Sequence, residues 1–257
     1  MSHTDKVLAE LRHDGQMLHI TLNAPKANVL DAEMLGGIEA EIESHAASKQ
    51  LKAIVFEGAG KHFSFGASVE EHQADQAAGM LEKFHGLFRR LAQYAVPTLA
   101  VVRGQCLGGG LELVSYCSRV FADDKAMFGQ PEIKLAVIAP MASVLLPWRC
   151  GGGAALDLCV SGRSIDAAEA YRIRLVNEVS SDPAAACEAY FTQHLAPLSA
   201  SSIRFAEVAA RVTLMRRIDS DLLTIEKIYL NELMKTHDAN EGIGAFLAKR
   251  PAVFTGE

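Results

Sequence analysis

The sequence predicts an α/β fold, with strands and helices alternating up to about residue 180 and a helical region after it. Short apolar runs bounded by turn residues, such as "LKAIVFEG" (51–58) and "TLAVVRG" (98–104), predict buried strands. Between these runs, apolar residues recur three or four positions apart, which indicates helices. Residues 182–250 are nearly all helical in pattern. We therefore expect stacked strand–helix units followed by a C-terminal helical region.

The N-terminal elements follow from turn and capping signals. "VLAELRH" and "MLHITL" flank Asp14-Gly15, which predicts a hairpin over residues 7–22. Asp31 can cap a helix that runs to about Ser48. The apolar face of that helix is predicted from the spacing of Met34, Leu35, Ile38 and Ile42.

The middle of the chain repeats this alternation. The glycine-punctuated loop "AGKHFSFGAS" follows the strand at 51–58, and Val69 to Tyr94 is expected to be mostly helical until Pro97. The strand at 98–104 leads through "QCLGGGLE" into another helix. "SRVFADD" is expected to be a strand, and "AMFGQPEIKLAVIAP" a loop with a short extended segment. From Ala142 the pattern is helical, apart from a strand-like "LVNEV" at 175–179.

Composition limits the function classes. The chain has 257 residues, 49% of them hydrophobic, and a net charge of -6, which argues against nucleic acid as the main partner. No apolar run is long enough to span a membrane, and the N-terminus does not resemble a signal peptide, so a cytoplasmic protein is expected. The five cysteines are odd in number and contain no C-x-x-C pair, which predicts reduced thiols and no metal site.

Two small-residue segments carry the main chemical signal. "FSFGAS" (63–68) and "LGGGLE" (107–112) each follow a predicted strand and lead into a helix. Backbone N–H groups at a helix start lack partners, and two that converge can form an oxyanion hole. Either segment alone is also compatible with tight helix–strand packing. The glycine spacing does not match the G-x-G-x-x-G dinucleotide motif.

Two glutamates stand next to these segments in sequence. Glu112 lies in the first turn of the helix that follows the glycines, and Glu132 follows Pro131 in "FGQPE". Each could be only a helix-dipole partner or a solvated turn residue. Their occurrence together with two candidate oxyanion loops favours acid–base catalysis by a carboxylate pair.

With these motifs, the sequence resembles the crotonase superfamily, the enoyl-CoA hydratases and isomerases. The matching blocks, in the family's order, are "LNAPKANVLD", "GKHFSFGAS", "VRGQCLGGGLEL", "FGQPEIKL", "GRSIDAAEAYRIRLVNEV" and "EGIGAFLAKRPAVF". The resemblance implies a spiral of ββα units over residues 1–190. It assigns residues 191–257 to a helical region that forms trimers, or hexamers of two trimers.

The resemblance also implies an acyl-CoA substrate and site residues. The N–H groups of Ala67 and Gly109 would bind the thioester oxygen. Glu112 would mainly activate water, and Glu132 would mainly protonate carbon. No metal or separate cofactor is implied, since CoA is part of the substrate. The CoA contacts would come from Lys26, Ala27 and Val29, with Phe246 and Lys249 reaching a CoA bound mainly by a neighbouring subunit.

Departures from the family pattern concern the CoA phosphates and the acyl pocket. Ser68 and Glu70 replace an aspartate and a frequent lysine, which weakens one expected phosphate contact. The segment "FGQPEIKLAVIAPMASVLLP" resembles that of the cyclohexa-1,5-diene-1-carbonyl-CoA hydratases, which add water in a 1,4 sense. Ala139, Pro140 and Met141 are therefore expected at the acyl pocket, with His85 as a further candidate.

Other activities stay open on the sequence. A straight-chain 2-enoyl-CoA hydratase would use both glutamates equally well. An isomerase needs only one glutamate, and a dehalogenase or decarboxylase fits the intact pair less well. A non-catalytic binding protein on the same scaffold is the alternative from another class.

Overall fold

A computed structural model describes residues 5–257 of the chain. Its strands are β1 (Val7–Arg12), β2 (Met17–Leu22), β3 (Ala53–Gly58), β4 (Thr98–Val102), β5 (Gln105–Leu107), β6 (Arg119–Ala122), β7 (Met127–Gly129), β8 (Ser164–Asp166) and β9 (Glu178–Val179). Its α-helices are α1 (Ala32–Ser44), α2 (Ala77–Tyr94), α3 (Gly109–Tyr116), α4 (Pro140–Cys150), α5 (Gly152–Ser161), α6 (Ala167–Arg172), α7 (Pro183–Tyr190), α8 (Ala200–Asn231) and α9 (His237–Leu247). Short 3₁₀ helices cover Glu70–His72, Pro131–Leu135 and Leu233–Lys235, and a π-helical turn covers Phe191–Leu195.

The strands form two sheets. The larger sheet has the order β1-β2-β3-β4-β6-β9, in which β1 is antiparallel to β2 and every later pair is parallel. The smaller sheet has the order β5-β7-β8. The antiparallel β1–β2 pair is the hairpin predicted around Asp14-Gly15.

The chain repeats one path: a strand of the larger sheet, then a strand of the smaller sheet, then a helix. β4 is followed by β5 and α3, and β6 is followed by β7 and the 3₁₀ helix Pro131–Leu135. In the earlier turns single bridges take the place of the second strand. Leu30, just before α1, forms a bridge with Ala67. Ser64, before α2, forms a bridge with Cys106. The architecture is thus the repeated ββα spiral expected from the sequence.

The core lies on both faces of the larger sheet because alternate residues point to opposite sides. In β3, Ile54 and Phe56 belong to the main core, while Ala53 and Val55 face α7. The main core also contains the buried face of α1, which Asp31 caps by accepting the N–H of Met34 at 2.9 Å.

Four predicted elements differ in detail from the structure. β8 is a strand within the stretch after Ala142, where only residues 175–179 were predicted to be strand-like. α1 ends at Ser44 instead of near Ser48, where His45 and Ala46 donate their N–H groups to carbonyls only three residues back. The predicted helix from Val69 is interrupted: a 3₁₀ turn occupies Glu70–His72 and α2 begins only at Ala77. The predicted strand 175–179 is reduced to β9, because residues 175 and 176 donate their N–H groups back to the carbonyl of Ala170 at the end of α6.

The C-terminal region is helical, as expected. Every strand among the described residues precedes residue 180. The domain limits 1–190 and 191–257 stay a prediction, and residues 1–4 lie outside the described part. No helix within residues 5–257 has the length and apolarity needed to cross a membrane.

Candidate active site

The two glycine-rich segments meet in space, although about forty residues of sequence separate them. A Cβ built on Gly109 would lie 3.1 Å from the nitrogen of Ala67, and one on Gly66 would lie 3.2 Å from the nitrogen of Gly109. Within residues 5–257, no acceptor takes a hydrogen bond from the N–H of Ala67 or Gly109. Two free N–H donors, one from each segment, can bind an anionic oxygen.

The glycines of the second segment are required by three different neighbours. Gly108 has φ of +52°, and a Cβ there would lie 2.6 Å from Oε1 of Glu132. At Gly110 a Cβ would lie 2.7 Å from Cβ of Ser64, on the facing loop. A Cβ at Gly109 would press on the Phe84 ring at 3.2 Å. Glycine lowers the stability of a helix, but at these positions it lets the two loops and the Glu132 carboxylate come close together.

Glu112 is held at the start of another helix. It lies in the first turn of α3, is only 5% exposed, and its Oε1 accepts the N–H of Ala142 at 2.7 Å. The N–H of Met141 contributes as well, so the carboxylate occupies the N-terminus of α4, which has no side-chain cap of its own. Burial raises the pKa of Glu112, and these two N–H groups act in the opposite direction.

Glu132 has a poorer set of partners. It lies in the first turn of the 3₁₀ helix after β7, where Oε1 accepts the amide of Gln130 at 3.3 Å. Its Oε2 is buried without a partner. Burial raises the pKa of Glu132, and the charge of Glu112 raises it further. The environments therefore favour an ionised Glu112 beside a protonated Glu132, which suits a base and an acid.

Both glutamates and both donor segments line one cavity of about 420 Å³. The remaining walls are mostly apolar, which suits a hydrocarbon acyl group. Of the predicted site residues, Ala67, Gly109, Glu112, Glu132, His85, Ala139, Pro140 and Phe246 line it.

Met141 is not among the residues that line the cavity, and its place at the acyl pocket stays a prediction. Its side chain is fully buried in the main core, because the first turn of α4 directs it inward while its N–H faces Glu112.

Three of the residues predicted to contact CoA, namely Lys26, Ala27 and Val29, lie on one loop outside the lining of the cavity. The carbonyl of Ala27 accepts the N–H of Phe65 at 2.8 Å, which fastens this loop to the first donor segment. Lys26 is exposed and has φ of +104°, and Val29 is half-buried. Their contact with CoA stays a prediction.

Phe246 differs from expectation. It lines the cavity of its own chain, whereas the resemblance assigned it to a neighbouring subunit's CoA. The reason is local packing: Gly242 of α9 touches the backbone of Leu135, which places α9 against the 3₁₀ helix that carries Glu132. Lys249 is exposed beyond the end of α9.

Sequence reasoning missed Tyr229. This residue of α8 lines the cavity and is fully buried, although α8 was assigned to oligomer formation. The spacing of Leu222 and Tyr229, seven residues apart, indicates only that they share one face of α8, and both are buried. His85 also lines the cavity, and its Nδ1 lies 2.6 Å from Oε1 of Glu226, three residues before Tyr229.

Comparison with known proteins now decides the family. The enoyl-CoA hydratase/isomerase family model matches residues 12–257. The chain belongs to the enoyl-CoA hydratase/isomerase family. It is 50% identical over 242 residues to the cyclohexa-1,5-dienecarbonyl-CoA hydratase of Thauera aromatica, covering 94% of each chain. It is 36% identical over 244 residues to a probable enoyl-CoA hydratase of Rhizobium meliloti, covering 93% of this chain and 95% of the other.

A solved structure of the same family supports the fold. The enoyl-CoA hydratase/isomerase of Xanthobacter autotrophicus Py2 superposes with a TM-score of 0.80 at 28% identity, over 96% of this chain and 99% of the other. Because its relatives are named as hydratases and two glutamates line its cavity, this member of the family is an enzyme of the hydro-lyase class.

Proposed function

We propose that this enzyme adds water to cyclohexa-1,5-diene-1-carbonyl-CoA and forms 6-hydroxycyclohex-1-ene-1-carbonyl-CoA. The observation that carries the proposal is the 50% identity, over 94% of each chain, to the Thauera aromatica hydratase of that name. The apolar cavity with one carboxylate pair supports it.

The first half of the reaction is attack by water. Glu112 takes a proton from water, and the oxygen bonds to the ring carbon β to the thioester carbonyl. The π electrons of that double bond move to the thioester oxygen. The N–H groups of Ala67 and Gly109 are placed to stabilise this negative charge, and one such donor typically contributes about 3 kcal/mol to the transition state.

The second half is protonation of carbon. The resulting dienolate takes a proton from Glu132 at the far carbon of the second double bond, and the electrons return from oxygen to restore the carbonyl. The remaining double bond then lies next to the thioester, which accounts for the 1,4 sense of addition. One proton leaves water and one reaches carbon, so the carboxylate pair exchanges roles and resets through the next water.

The remaining parts of the proposal concern CoA, assembly and location. CoA enters as part of the substrate, along the loop that carries Lys26, Ala27 and Val29, and no separate cofactor takes part. A homotrimer or hexamer is supported by apolar residues left exposed on α8 and α5, such as Phe205 at 78% and Leu156 at 66%. Five cysteines that form no disulfide in the structure support the cytoplasm as the location.

A product assay tests the proposal. The purified enzyme is given the cyclic dienoyl-CoA and, separately, crotonyl-CoA, and products are identified by mass and NMR. We expect efficient formation of the hydroxylated ring and weak hydration of crotonyl-CoA. Efficient hydration of crotonyl-CoA without any cyclic product would refute the proposed substrate and favour a straight-chain hydratase.

Variants separate catalysis from mere binding. Glu112→Gln and Glu132→Gln should each lower kcat by about 10²-fold or more, because general acid or base assistance typically contributes 10²–10⁴. The exposed Glu82 of α2 provides a matched control, and Glu82→Gln should leave kcat unchanged. Unchanged hydration in both active-site variants would show that the pair does not carry the reaction.

A further inference from the structure

Glu132 has a buried oxygen that nothing in the described chain satisfies. Its Oε1 accepts the Gln130 amide, whereas Oε2 is sealed from solvent and has no partner. A buried polar atom without a hydrogen bond costs about 1–3 kcal/mol. When Glu132 gives its proton to carbon, Oε2 becomes part of a carboxylate, and the cost of leaving it unpaired rises.

Tyr229 presents the complementary atom. Its side chain is fully buried, lines the same cavity as Glu132, and its hydroxyl has no partner within residues 5–257. Burial raises the pKa of Tyr229, and the charges of Glu132 and Glu112 raise it further, so these charges are close enough to act on the phenol. Tyr229 therefore stays protonated and keeps a hydrogen to donate.

A hydrogen bond between α2 and α8 fixes the helix that carries Tyr229. Glu226 accepts from Nδ1 of His85 at 2.6 Å, which ties α8 to α2, and Arg89 of α2 lies 3.9 Å from the same carboxylate oxygen. Glu226 and Tyr229 are three residues apart on α8 and share one helix face. The contact between α2 and α8 thus sets the rotation of α8 that directs Tyr229 toward the cavity.

We propose that Tyr229 donates a hydrogen bond to Oε2 of Glu132 in the acyl-CoA complex, and that the His85–Glu226 pair positions Tyr229 for it. The hydroxyl of Tyr229 and Oε2 of Glu132 are a buried donor and a buried acceptor without other partners, and both residues line one cavity. Tyr229 is a positioning residue that acts through Glu132. The inference rests on the proposed role of Glu132 as the proton donor to carbon.

This hydrogen bond has a specific consequence for the second half-reaction. As the proton leaves Glu132, negative charge appears on the carboxylate in a site of low polarity. A phenol already aimed at Oε2 stabilises that charge without reorganisation, which makes Glu132 a stronger acid at the moment of transfer. Hydrogen bonds to charged groups contribute about 1.5–3 kcal/mol, which corresponds to roughly 10- to 100-fold in rate.

The test is Tyr229→Phe, which removes only the hydroxyl. We expect kcat to fall about 10- to 100-fold while KM changes less than about twofold, since the ring wall of the cavity is retained. The alkaline limb of the kcat profile should move to higher pH, because Glu132 loses a donor that favours its charged form. The other titratable groups that line the cavity are Glu112, His72, His85 and Lys134.

A matched control removes a buried phenol elsewhere. Tyr116 of α3 is 2% exposed and does not line the cavity, so Tyr116→Phe should keep both kcat and the pH profile. A Tyr229→Phe variant with unchanged kcat, or with a change in KM alone, would overturn the proposal and leave Tyr229 as wall packing.

The positioning role of Glu226 is tested by a double-mutant cycle. Glu226→Ala should lower kcat, and its combination with Tyr229→Phe should lower kcat no further than the stronger single variant. Additive losses would refute positioning through Tyr229. Thermal unfolding of each variant checks that the fold is retained.

An infrared titration of Glu132 does not depend on turnover. It therefore tests the hydrogen bond from Tyr229 even if the proposed substrate is wrong. With the unreactive cyclohexanecarbonyl-CoA bound, the infrared band of protonated Glu132, identified by its loss in Glu132→Gln, is titrated with pH. We expect a higher pKa of Glu132 in Tyr229→Phe than in the natural enzyme. An identical pKa in both would overturn the hydrogen bond even if the enzyme hydrates only linear substrates.

Discussion

Replacing Glu132 by glutamine should stabilise the substrate-free enzyme in a pH-dependent way, even though it removes activity. Glu132 lines the cavity with Glu112 and has one buried carboxyl oxygen. Desolvation of this carboxyl and the charge of Glu112 both favour its protonated form, which raises its pKa in the folded state. The folded state therefore holds a proton that the unfolded chain releases near pH 4.5. The stabilising contribution of this carboxyl is complete below that pH and is lost as pH rises through the raised pKa.

The size of the effect follows from the pKa difference. Each pKa unit corresponds to about 1.4 kcal/mol, and Glu132 is partly solvent-exposed, so we count only one to two units, or about 2 kcal/mol. Glutamine resembles the protonated acid and carries no titratable proton. For a chain of this size about 2 kcal/mol corresponds to a difference in Tm of about 4–8 °C.

Thermal unfolding of both proteins at one protein concentration, between pH 5 and pH 9, measures this difference. The Tm of Glu132→Gln should be close to that of the natural enzyme at pH 5, rise above it as pH increases toward the raised pKa of Glu132, and exceed it by a constant amount at higher pH. Glu82→Gln, which changes an exposed carboxylate on α2, should show no such trend. A Tm difference that stays constant over this pH range would refute the assignment of a raised pKa to Glu132.

Three further substitutions probe the supports of the site. Gly108→Ala should lower kcat by about 10²-fold and Tm by several degrees, measured by steady-state kinetics and calorimetry, because its Cβ would lie 2.6 Å from Oε1 of Glu132 and φ is +52°. Arg149→Met should destabilise the fold by about 3 kcal/mol in urea titrations, because the guanidinium serves two backbone carbonyls and one side-chain amide. Gly242→Ala should cost about 1–3 kcal/mol and raise KM, since its Cβ would overlap the carbonyl of Leu135 beside the catalytic 3₁₀ helix. Equal stability of that variant in urea would show that α9 can shift freely.

The assignment of base and acid roles to the two glutamates depends on the groups that surround each carboxylate. Glu112 accepts two N–H groups from the start of α4, whereas Glu132 has one side-chain amide and a charged neighbour. Identical side chains thus acquire different proton affinities. The sequence around Glu112 does not carry this information, because one of its donors, Ala142, lies 30 positions further along the chain.

The sequence by itself determined the alternation of strands and helices, the two small-residue segments and the family. These features are local, since turn residues, apolar spacing and short motifs are written in consecutive positions. The predicted pairing of Ala67 with Gly109 required only that each segment follow a strand of the same spiral.

Only the tertiary structure decided which distant residues share the cavity. Tyr229 enters it because Glu226 pairs with His85 across α8 and α2, a contact between residues 141 positions apart. The packing of α4 buries Met141 in the core, and the packing of α9 brings the half-exposed Phe246 to the cavity, which no local pattern encodes. A spacing pattern shows which residues of one helix share a face. The partner of that face is chosen by packing over the whole chain.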